Sequence, residues 1–424
     1  MRISTSMIFN SGVTGIQNRQ SDLYRVQNQL STGRKILTPE DDPIAASQAL
    51  VLQQSKDVSS QFLKNQDDAK GKLGLVESQL TALGDLLQNV REKVVQAGNT
   101  TLSNADRTYI AQELEARFSE MVGIANAQDG GGNYLFSGYQ GATKPYSVET
   151  SGAKYNGDEG KRLLQVESSR LIPTNVTGTE LFEHIRNGNG TFVTSTNPPT
   201  VNSGTGVIDQ GTVTNLPAWN AAVAAGYGDI EVRFSVSAGG VTQYELFDVS
   251  TATSLSSVPT DYSPGQSIVL QKTTIPALDF GASIVIQGQP APGDSFLIQP
   301  SSNQSIFTTL RNTINTLTGG IGPAAAANSP TEFTNDLARN LNDIDHALEN
   351  VSKIRATVGS NLKEIDSLAN TGEDMQLQYA SSLSQLQDLD WAEAISDMAS
   401  KKLQLEATQL SFKQISQLSL FNIL

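Results

Sequence analysis

The sequence predicts a mainly α-helical protein with an inserted β-rich domain. Two long stretches, one toward each end of the chain, carry apolar residues at alternating steps of three and four, which is the pattern of a coiled-coil seam. The stretch from about residue 186 to 293 is instead rich in Gly, Thr, Ser, Asn and Val, and its short alternating runs are typical of strands. Helices from both ends must then pair across the insertion. We therefore expect an elongated α-helical coiled-coil rod with an outward β domain.

The first seam lies on a helix that we expect to run from near Ala45 to Gly98, a length of roughly 80 Å at about 1.5 Å per residue. The second seam is broken only where Arg355 replaces an apolar residue. A shorter helix between them carries apolar residues from Ile110 to Ala125. Matching stripes of this kind bury each other in a bundle. The residues predicted to form the rod seam are Leu73, Val76, Leu80, Leu83, Leu87, Val90, Leu341, Ile344, Leu348, Val351, Leu362 and Ile365.

The two extreme ends also carry apolar rows spaced by seven residues. These helices are otherwise rich in Gln, Ser and Leu, which is unlike the solvated surface of a monomer. We interpret them as surfaces for partners, and burial inside one large domain is the alternative. The predicted assembly-interface residues are Phe9, Ile16, Leu23, Leu30, Trp391, Met398, Leu405, Phe412, Ile415, Leu418 and Phe421.

These patterns predict three domains. Residues 1–40 and 385–424 would form a terminal coiled-coil core domain. Residues 41–185 and 294–384 would form a helical rod domain with a small β-hairpin region. Residues 186–293 would form the inserted β-rich outer domain.

Composition excludes several classes of function. The formal net charge of −14 argues against binding to nucleic acid or to an anionic membrane surface. The chain contains no cysteine, which excludes disulfides, thiolate catalysis and cysteine-based zinc sites. It has no apolar run long enough to span a membrane, and "MRISTSMIFNSG" lacks the apolar region of a secretory signal peptide. We expect a protein that is cytoplasmic or is exported without a cleaved leader.

The acidic run Glu40-Asp41-Asp42 in "STGRKILTPEDDPIAAS" could be a metal site or a structural boundary. Gly33 fits the end of a helix, since glycine tolerates the left-handed conformation needed there. Thr38 and Asp42 each precede a proline and resemble N-caps, and acids are favoured in a first helical turn. The sequence supplies no convergent ligands, so we interpret the run as the start of the next helix.

The sequence offers few candidates for catalytic residues. The two histidines are His184 and His346, and neither lies in an HExxH motif. "GGNYLFSGYQG" is neither a P-loop nor a dinucleotide-binding motif, and Tyr134 and Phe136 in it are predicted anchors after a helix. Asp294 lies in a Pro-Gly turn, a common place for aspartate. A triad of histidine, serine and aspartate stays open. We expect no enzyme activity, no metal and no cofactor.

Both ends of the chain resemble the flagellin superfamily. The residues that carry this resemblance are "MRISTSMIFNSGVTGIQNRQSDLYRVQNQLSTGRKILTPEDDPIAASQAL" and "LSFKQISQLSLFNIL", with support from "NYLFSGYQGATKPY" and "GDSFLIQPSSNQSIF". The resemblance covers about the first 185 and the last 130 residues. "LTPEDDPIAAS" and "LFNIL" are similar to the hook–filament junction proteins of this superfamily rather than to flagellin proper, which stays the alternative.

The resemblance implies a structural adaptor of the bacterial flagellum. It implies paired terminal helices in the core of the axial tube and export through the flagellar type III channel to an extracellular position. The implied partners are hook-associated protein 1, flagellin, further copies of the chain in a ring, and an export chaperone bound near the C-terminus.

Two other classes of function stay open. The β insertion could bind a glycan or a host surface, which an exposed aromatic cluster would favour. An enzyme would need a concave site that joins His184 to nearby acids.

Overall fold

The computed structural model describes residues 5–196, 202–321 and 329–421. These ranges contain a set of helices and a set of mostly short strands. The α-helices are α1 (Thr5–Thr32), α2 (Pro43–Ala97), α3 (Asn104–Ala125), α4 (Leu216–Ala224), α5 (Ile306–Gly319), α6 (Pro330–Gln387) and α7 (Trp391–Phe421), and a short π-helix spans Thr179–Glu183. The strands are β1 (Tyr146–Glu149), β2 (Gly152–Tyr155), β3 (Leu163–Glu167), β4 (Arg170–Pro173), β5 (Ile185–Arg186), β6 (Phe192–Thr196), β7 (Val207–Ile208), β8 (Thr212–Val213), β9 (Ile230–Val236), β10 (Thr242–Asp248), β11 (Thr253–Ser254), β12 (Thr260–Asp261), β13 (Ser267–Lys272), β14 (Leu278–Gln287), β15 (Ser295–Pro300) and β16 (Asn303–Gln304).

The predicted fold class is confirmed, because helices from both ends of the chain flank an antiparallel β-rich region. The long helix predicted from Ala45 to Gly98 is α2, and the shorter one is α3. Helices α4 and α5 were not predicted. The short α4 lies inside a stretch whose Gly and Thr content favours strands, and α5 follows a strand almost directly.

The chain divides into two compact units. The first contains Met1–Asp67, Gln165–Arg170 and Ile365–Leu424, and the second contains Asp68–Leu164 and Leu171–Glu364. Helices α2 and α6 each contribute one part to the first unit and one part to the second.

The acidic run is part of the boundary between α1 and α2. Gly33 follows α1 with φ 67°, as predicted for a helix end. Helix α2 begins at Pro43, and the carboxylate of Asp42 accepts the backbone N–H groups of Ile44 and Ala45 at 3.1 and 2.9 Å. The expectation that Thr38 also caps a helix was wrong, because the carboxylate of Asp41 instead accepts the N–H of Thr38 and closes a turn.

In the second unit the predicted seam is buried. All six predicted seam residues of α2 are at most 1% exposed. On α6, Ile344 and Val351 are buried, whereas Leu341, Leu348 and Leu362 are half-buried. The two helices are antiparallel, since Glu77 pairs with Arg355 at 2.9 Å and Arg91 with Asp345 at 2.6 Å. Arg355 therefore interrupts the apolar row because it pairs with an acid of the facing helix. Ile365, in the first unit, is 1% exposed.

The β-rich region contains two antiparallel sheets around one apolar core. The larger sheet has the strand order β11-β10-β9-β15-β6 with β12 beside β10, and the smaller has β13-β14-β7 with β8 beside β14. Because β15 lies between β9 and β6, this region extends to Pro300. On α4, Trp219 is 2% exposed and its ring lies 5.0 Å from that of Phe192.

A row of polar side chains on α6 contacts backbone groups of residues 180–208 in the second unit. Asn335 Oδ1 accepts the N–H of Ile208 at 2.9 Å, and Asp343 Oδ1 accepts that of Gly188 at 3.0 Å. Further along the same face, Asn350 Nδ2 donates to the carbonyl of Glu180 at 3.0 Å. These polar side chains hold the backbone at Ile208, Gly188 and Glu180 against α6. Polar residues on one face of a helix normally indicate a solvent-exposed face, so this role could not be predicted from the sequence.

Candidate assembly interface

Helices α1 and α7 pair with each other in antiparallel orientation within the first unit. The rings of Phe9 and Phe412 are 5.2 Å apart. Further along the pair, Arg19 Nη1 donates to Gln404 Oε1 at 3.3 Å. At the far end, Trp391 Cζ2 lies 3.6 Å from the position that a Cβ would take on Gly33. The predicted rows on the two terminal helices are therefore brought together.

Most predicted interface residues are only partly covered by this pairing. Phe9, Trp391 and Ile415 are exposed, and the side chains of Leu418 and Phe421 lie outside the described residues. In the described part of the two helices, only Val26 and Ala394 are buried. The half-buried members of the predicted set are Ile16, Leu23, Leu30, Met398, Leu405 and Phe412.

A second apolar row on α7 was missed by the sequence analysis. Leu403 and Leu410 are 67% and 63% exposed and are seven residues apart, and Ile395 is 54% exposed. At 100° per residue, Ile395 lies about a quarter turn from both rows, whereas Leu403 and Leu410 lie on the side of α7 away from Leu405 and Phe412. Their own seven-residue spacing was the signal that could have identified them. Exposed leucines that share one face of a helix fit a surface that a partner covers.

The ends of α1 and α6 are joined by backbone hydrogen bonds. The N–H of Lys35 donates to the carbonyl of Gln387 at 2.8 Å, and that of Leu389 donates to the carbonyl of Gly33 at 3.0 Å. Nearby, the hydrogen bond from the N–H of Thr38 lowers the pKa of Asp41. This carboxylate therefore stays charged at neutral pH and has a structural partner.

The first unit also contains an open groove of about 340 Å³ between α2, α6 and the tip of the β3–β4 hairpin. We call it the α2–α6 groove. Gln66 anchors the hairpin, because its Nε2 donates to the carbonyl of Val166 at 2.8 Å. Gly372 allows close packing there, since a Cβ would lie 2.9 Å from Leu63 Cδ2. The apolar side chains that line the groove are Val58, Phe62, Val166, Leu368, Met375 and Tyr379.

The two histidines lie in a pocket of about 210 Å³ in the second unit, together with Arg186, Glu349 and Lys353. His346 Nε2 lies 2.8 Å from the carbonyl oxygen of Gly188, and Nδ1 lies 3.2 Å from Glu349 Oε2. Both ring nitrogens of His346 are thus in contact with structural acceptors. No cluster of three or more metal-ligating side chains occurs in residues 5–196, 202–321 and 329–421.

Asp294 is buried and accepts three backbone N–H groups. Its carboxylate oxygens lie 2.8 Å from the N–H nitrogens of Ser203 and Ala291 and 3.0 Å from that of Gly204. This geometry places Asp294 in a turn, as predicted.

In the described part of the chain, none of the helices is both long and apolar enough to cross a membrane.

Two family models match the helical ends of the chain. The bacterial flagellin N-terminal helical region matches residues 3–141, and the bacterial flagellin C-terminal helical region matches residues 341–424. A flagellin from Serratia marcescens is 29% identical over 143 residues, which are 33% of this chain and 40% of that protein. This flagellin therefore aligns with only a third of the chain.

Similarity to another group of flagellar proteins extends further. Flagellar hook-associated protein 3 of Escherichia coli is 27% identical over 423 residues, covering 100% of this chain and 99% of that protein. That of Salmonella typhimurium is 39% identical over 185 residues, covering 44% of this chain and 58% of that protein. A crystal structure of flagellar hook associated protein-3 from Legionella pneumophila has a TM-score of 0.71 at 28% identity, covering 79% of this chain and 98% of that one.

The paired terminal helices, the β-rich region between them and the two family models define the class. The chain belongs to the flagellin superfamily of structural proteins of the bacterial flagellum. Within this superfamily, its similarity over the full length is to flagellar hook-associated protein 3.

Proposed function

We propose that this chain is an adaptor that joins the flagellar hook to the flagellin filament. The observation that carries the proposal is the similarity to flagellar hook-associated protein 3 over the whole chain, whereas the flagellin from Serratia marcescens aligns with only a third of it. The incompletely covered apolar rows of α1 and α7 support it, because they fit a subunit that neighbours cover in an assembly.

The adaptor would contact hook-associated protein 1 on one side and flagellin on the other, with further copies of itself in a ring. It would leave the cell through the flagellar type III export system without a cleaved leader and act outside the cell. An export chaperone would bind near the C-terminus before export. Nothing in this proposal requires a cofactor, a metal or a catalytic step.

A binding role of the β-rich region has less support. In its described residues, the large exposed apolar side chains are aliphatic, such as Ile275 at 96% and Val258 at 67%, and none is aromatic. Glycan-binding surfaces commonly use exposed aromatic rings, so the structure does not favour a glycan site.

Electron microscopy of a deletion strain tests the adaptor. We expect intact hooks without filaments and flagellin shed into the medium, with both defects restored by the full chain. Filaments of normal length on the deletion strain would contradict the proposal. A strain that lacks filaments and sheds no flagellin would instead support the alternative that this chain is the filament subunit.

A further inference from the structure

The α2–α6 groove leaves apolar side chains in contact with water. Val58 and Met375 on its two walls are 47% and 45% exposed. On α2, Ile44 and Val51 precede Val58 at seven-residue steps and are 69% and 62% exposed. The exposed row thus continues along the helix that forms one wall. Such a row beside a groove fits the apolar face of another helix.

The charge of the groove limits the choice of occupant. Glu167, at the hairpin tip, is its one charged lining residue. It has no ion-pair partner within the residues that the structure describes. A helix that fits the groove would therefore present an apolar row with a basic residue beside it.

The outward row of α7 has these properties. Leu403 and Leu410 are exposed there, and Ala399 lies next to them. Lys402 and Lys413 lie on one side of this row, about three turns apart, and Glu406 lies between them. Because two lysines and one glutamate flank the row, its edge has a net positive charge. Neither lysine has an ion-pair partner in the described ranges. One chain therefore carries an uncovered apolar groove with an acidic residue and an uncovered apolar row with basic residues beside it.

We propose that the outward row of α7 in one copy of this chain docks in the α2–α6 groove of the next copy. Leu403 and Leu410 would pack against Val58 and Met375, and Lys402 would lie beside Glu167. The inference rests on the proposed function, since it specifies how copies of the adaptor contact one another.

The two surfaces are different, so the contact is heterologous. A contact of this type repeats from copy to copy and produces a ring or an open helix, whereas a two-fold contact ends at a dimer. Docking into the groove covers both apolar surfaces and places Lys402 beside Glu167.

Charge reversal tests the contact. Lys402→Glu and Glu167→Lys should each lower the amount of this chain in isolated hook preparations several-fold, and the double variant should restore it. Lys154→Glu, at an exposed position on β2, is the matched control and should incorporate normally. Normal incorporation of both single variants would overturn the proposal. A double variant as defective as the single ones would also overturn it, and would assign the α7 row to a different partner.

Cross-linking tests the same contact without removing its charges. The natural chain contains no cysteine, so Ser168→Cys at the groove and Ala399→Cys on α7 add the only thiols. In isolated flagella, a short bismaleimide should cross-link the double variant into a ladder of trimers and larger products. Either single variant should give no product larger than a dimer. Identical patterns in all three would contradict the contact. Because the deletion phenotype is read separately, failure here would leave the adaptor function intact.

Discussion

Cδ2 of Phe412 lies 2.4 Å from the position that a Cβ would take on Gly12. The terminal helices therefore approach each other where α1 has no side chain, and the ring of Phe412 fills the space. Three residues further along α1, a Cβ on Gly15 would meet nothing within 4 Å. On α1, Gly12 is therefore needed for close packing, whereas Gly15 is not.

We predict opposite effects of alanine at these two positions. Alanine raises helix stability by about 1 kcal/mol over glycine. At Gly15 this gain is unopposed, so Gly15→Ala should slow proteolysis of α1. At Gly12 the added methyl group must displace the ring of Phe412, so Gly12→Ala should speed proteolytic release of α7. Limited proteolysis with mass spectrometry measures both. Equal cleavage rates in the two variants would show that the helices do not pack here.

A charge in the buried seam should destabilise the second unit. Leu83 is 0% exposed, and Leu83→Asp would lose roughly 1.5–3 kcal/mol of burial in addition to the cost of desolvating a carboxylate. Leu75→Asp places the same charge on the same helix at a side chain that is 44% exposed. We expect a much lower Tm for the first variant than for the second. Matching thermal unfolding curves would contradict packing through this seam.

The helices were predictable because burial repeats with the helical period. Leu73 and Val90 belong to one α2 row that the sequence displays without a gap, and the structure buries it. The polar contacts of Asn335 and Asp343 on α6 were not predictable. Their partners are backbone groups more than a hundred residues away in sequence, and backbone groups leave no side-chain pattern to read.

Stability should fall as pH rises through the titration of Glu183. Burial raises the pKa of this carboxyl, and a hydrogen bond from Ser305 only partly opposes the shift. The folded state thus holds the proton more tightly than the unfolded state. The stabilising contribution of Glu183 to the free energy of unfolding is fully present below its unfolded pKa of about 4.3. This contribution is lost as the pH rises through the pKa of the folded state.

Glu183→Gln removes this dependence. Its Tm should exceed that of the natural chain at neutral pH, and the difference should vanish near the pKa of an unfolded glutamate, about 4.3. Glu149→Gln, at an exposed residue of β1, should leave the Tm unchanged at both pH values. Scanning calorimetry across this pH range provides the measurement. A lower Tm for Glu183→Gln at neutral pH would show that the charged form is favoured.

Loss of the Asp294 carboxylate should destabilise the β-rich region. Asp294→Ala leaves the backbone N–H groups of Ser203, Gly204 and Ala291 without this acceptor, and an unsatisfied buried group costs about 1–3 kcal/mol. Asp261→Ala, on exposed β12, removes a contact from one side chain, that of Gln243. Urea unfolding, monitored by tryptophan fluorescence, should give a lower midpoint for Asp294→Ala than for Asp261→Ala. Trp219 reports on this unfolding because it lies in the core of the region. Equal midpoints would contradict the assigned role.

The candidate interface was only partly predictable from the sequence. The row that includes Phe9 and the row that includes Phe412 appeared as seven-residue repeats, and the structure pairs them. The outward row contains one seven-residue step, from Leu403 to Leu410, and is offset around α7, so this helix carries exposed apolar residues on a second side. Which seam faces α1 depends on contacts such as that between Gly12 and Phe412, and a periodic pattern does not specify them.

We propose that neighbours in the flagellum, rather than contacts within the free chain, stabilise the terminal helices. Among the side chains that the structure describes on the two helices, only Val26 and Ala394 are buried, so the helices should be marginal, because most helix stability comes from packing. Hydrogen exchange of the free full-length chain, read by mass spectrometry, tests this most directly. We expect amides 9–30 to exchange much faster than amides 73–94. Equal protection of the two segments would show that α1 and α7 are stable without neighbours and would contradict the claim.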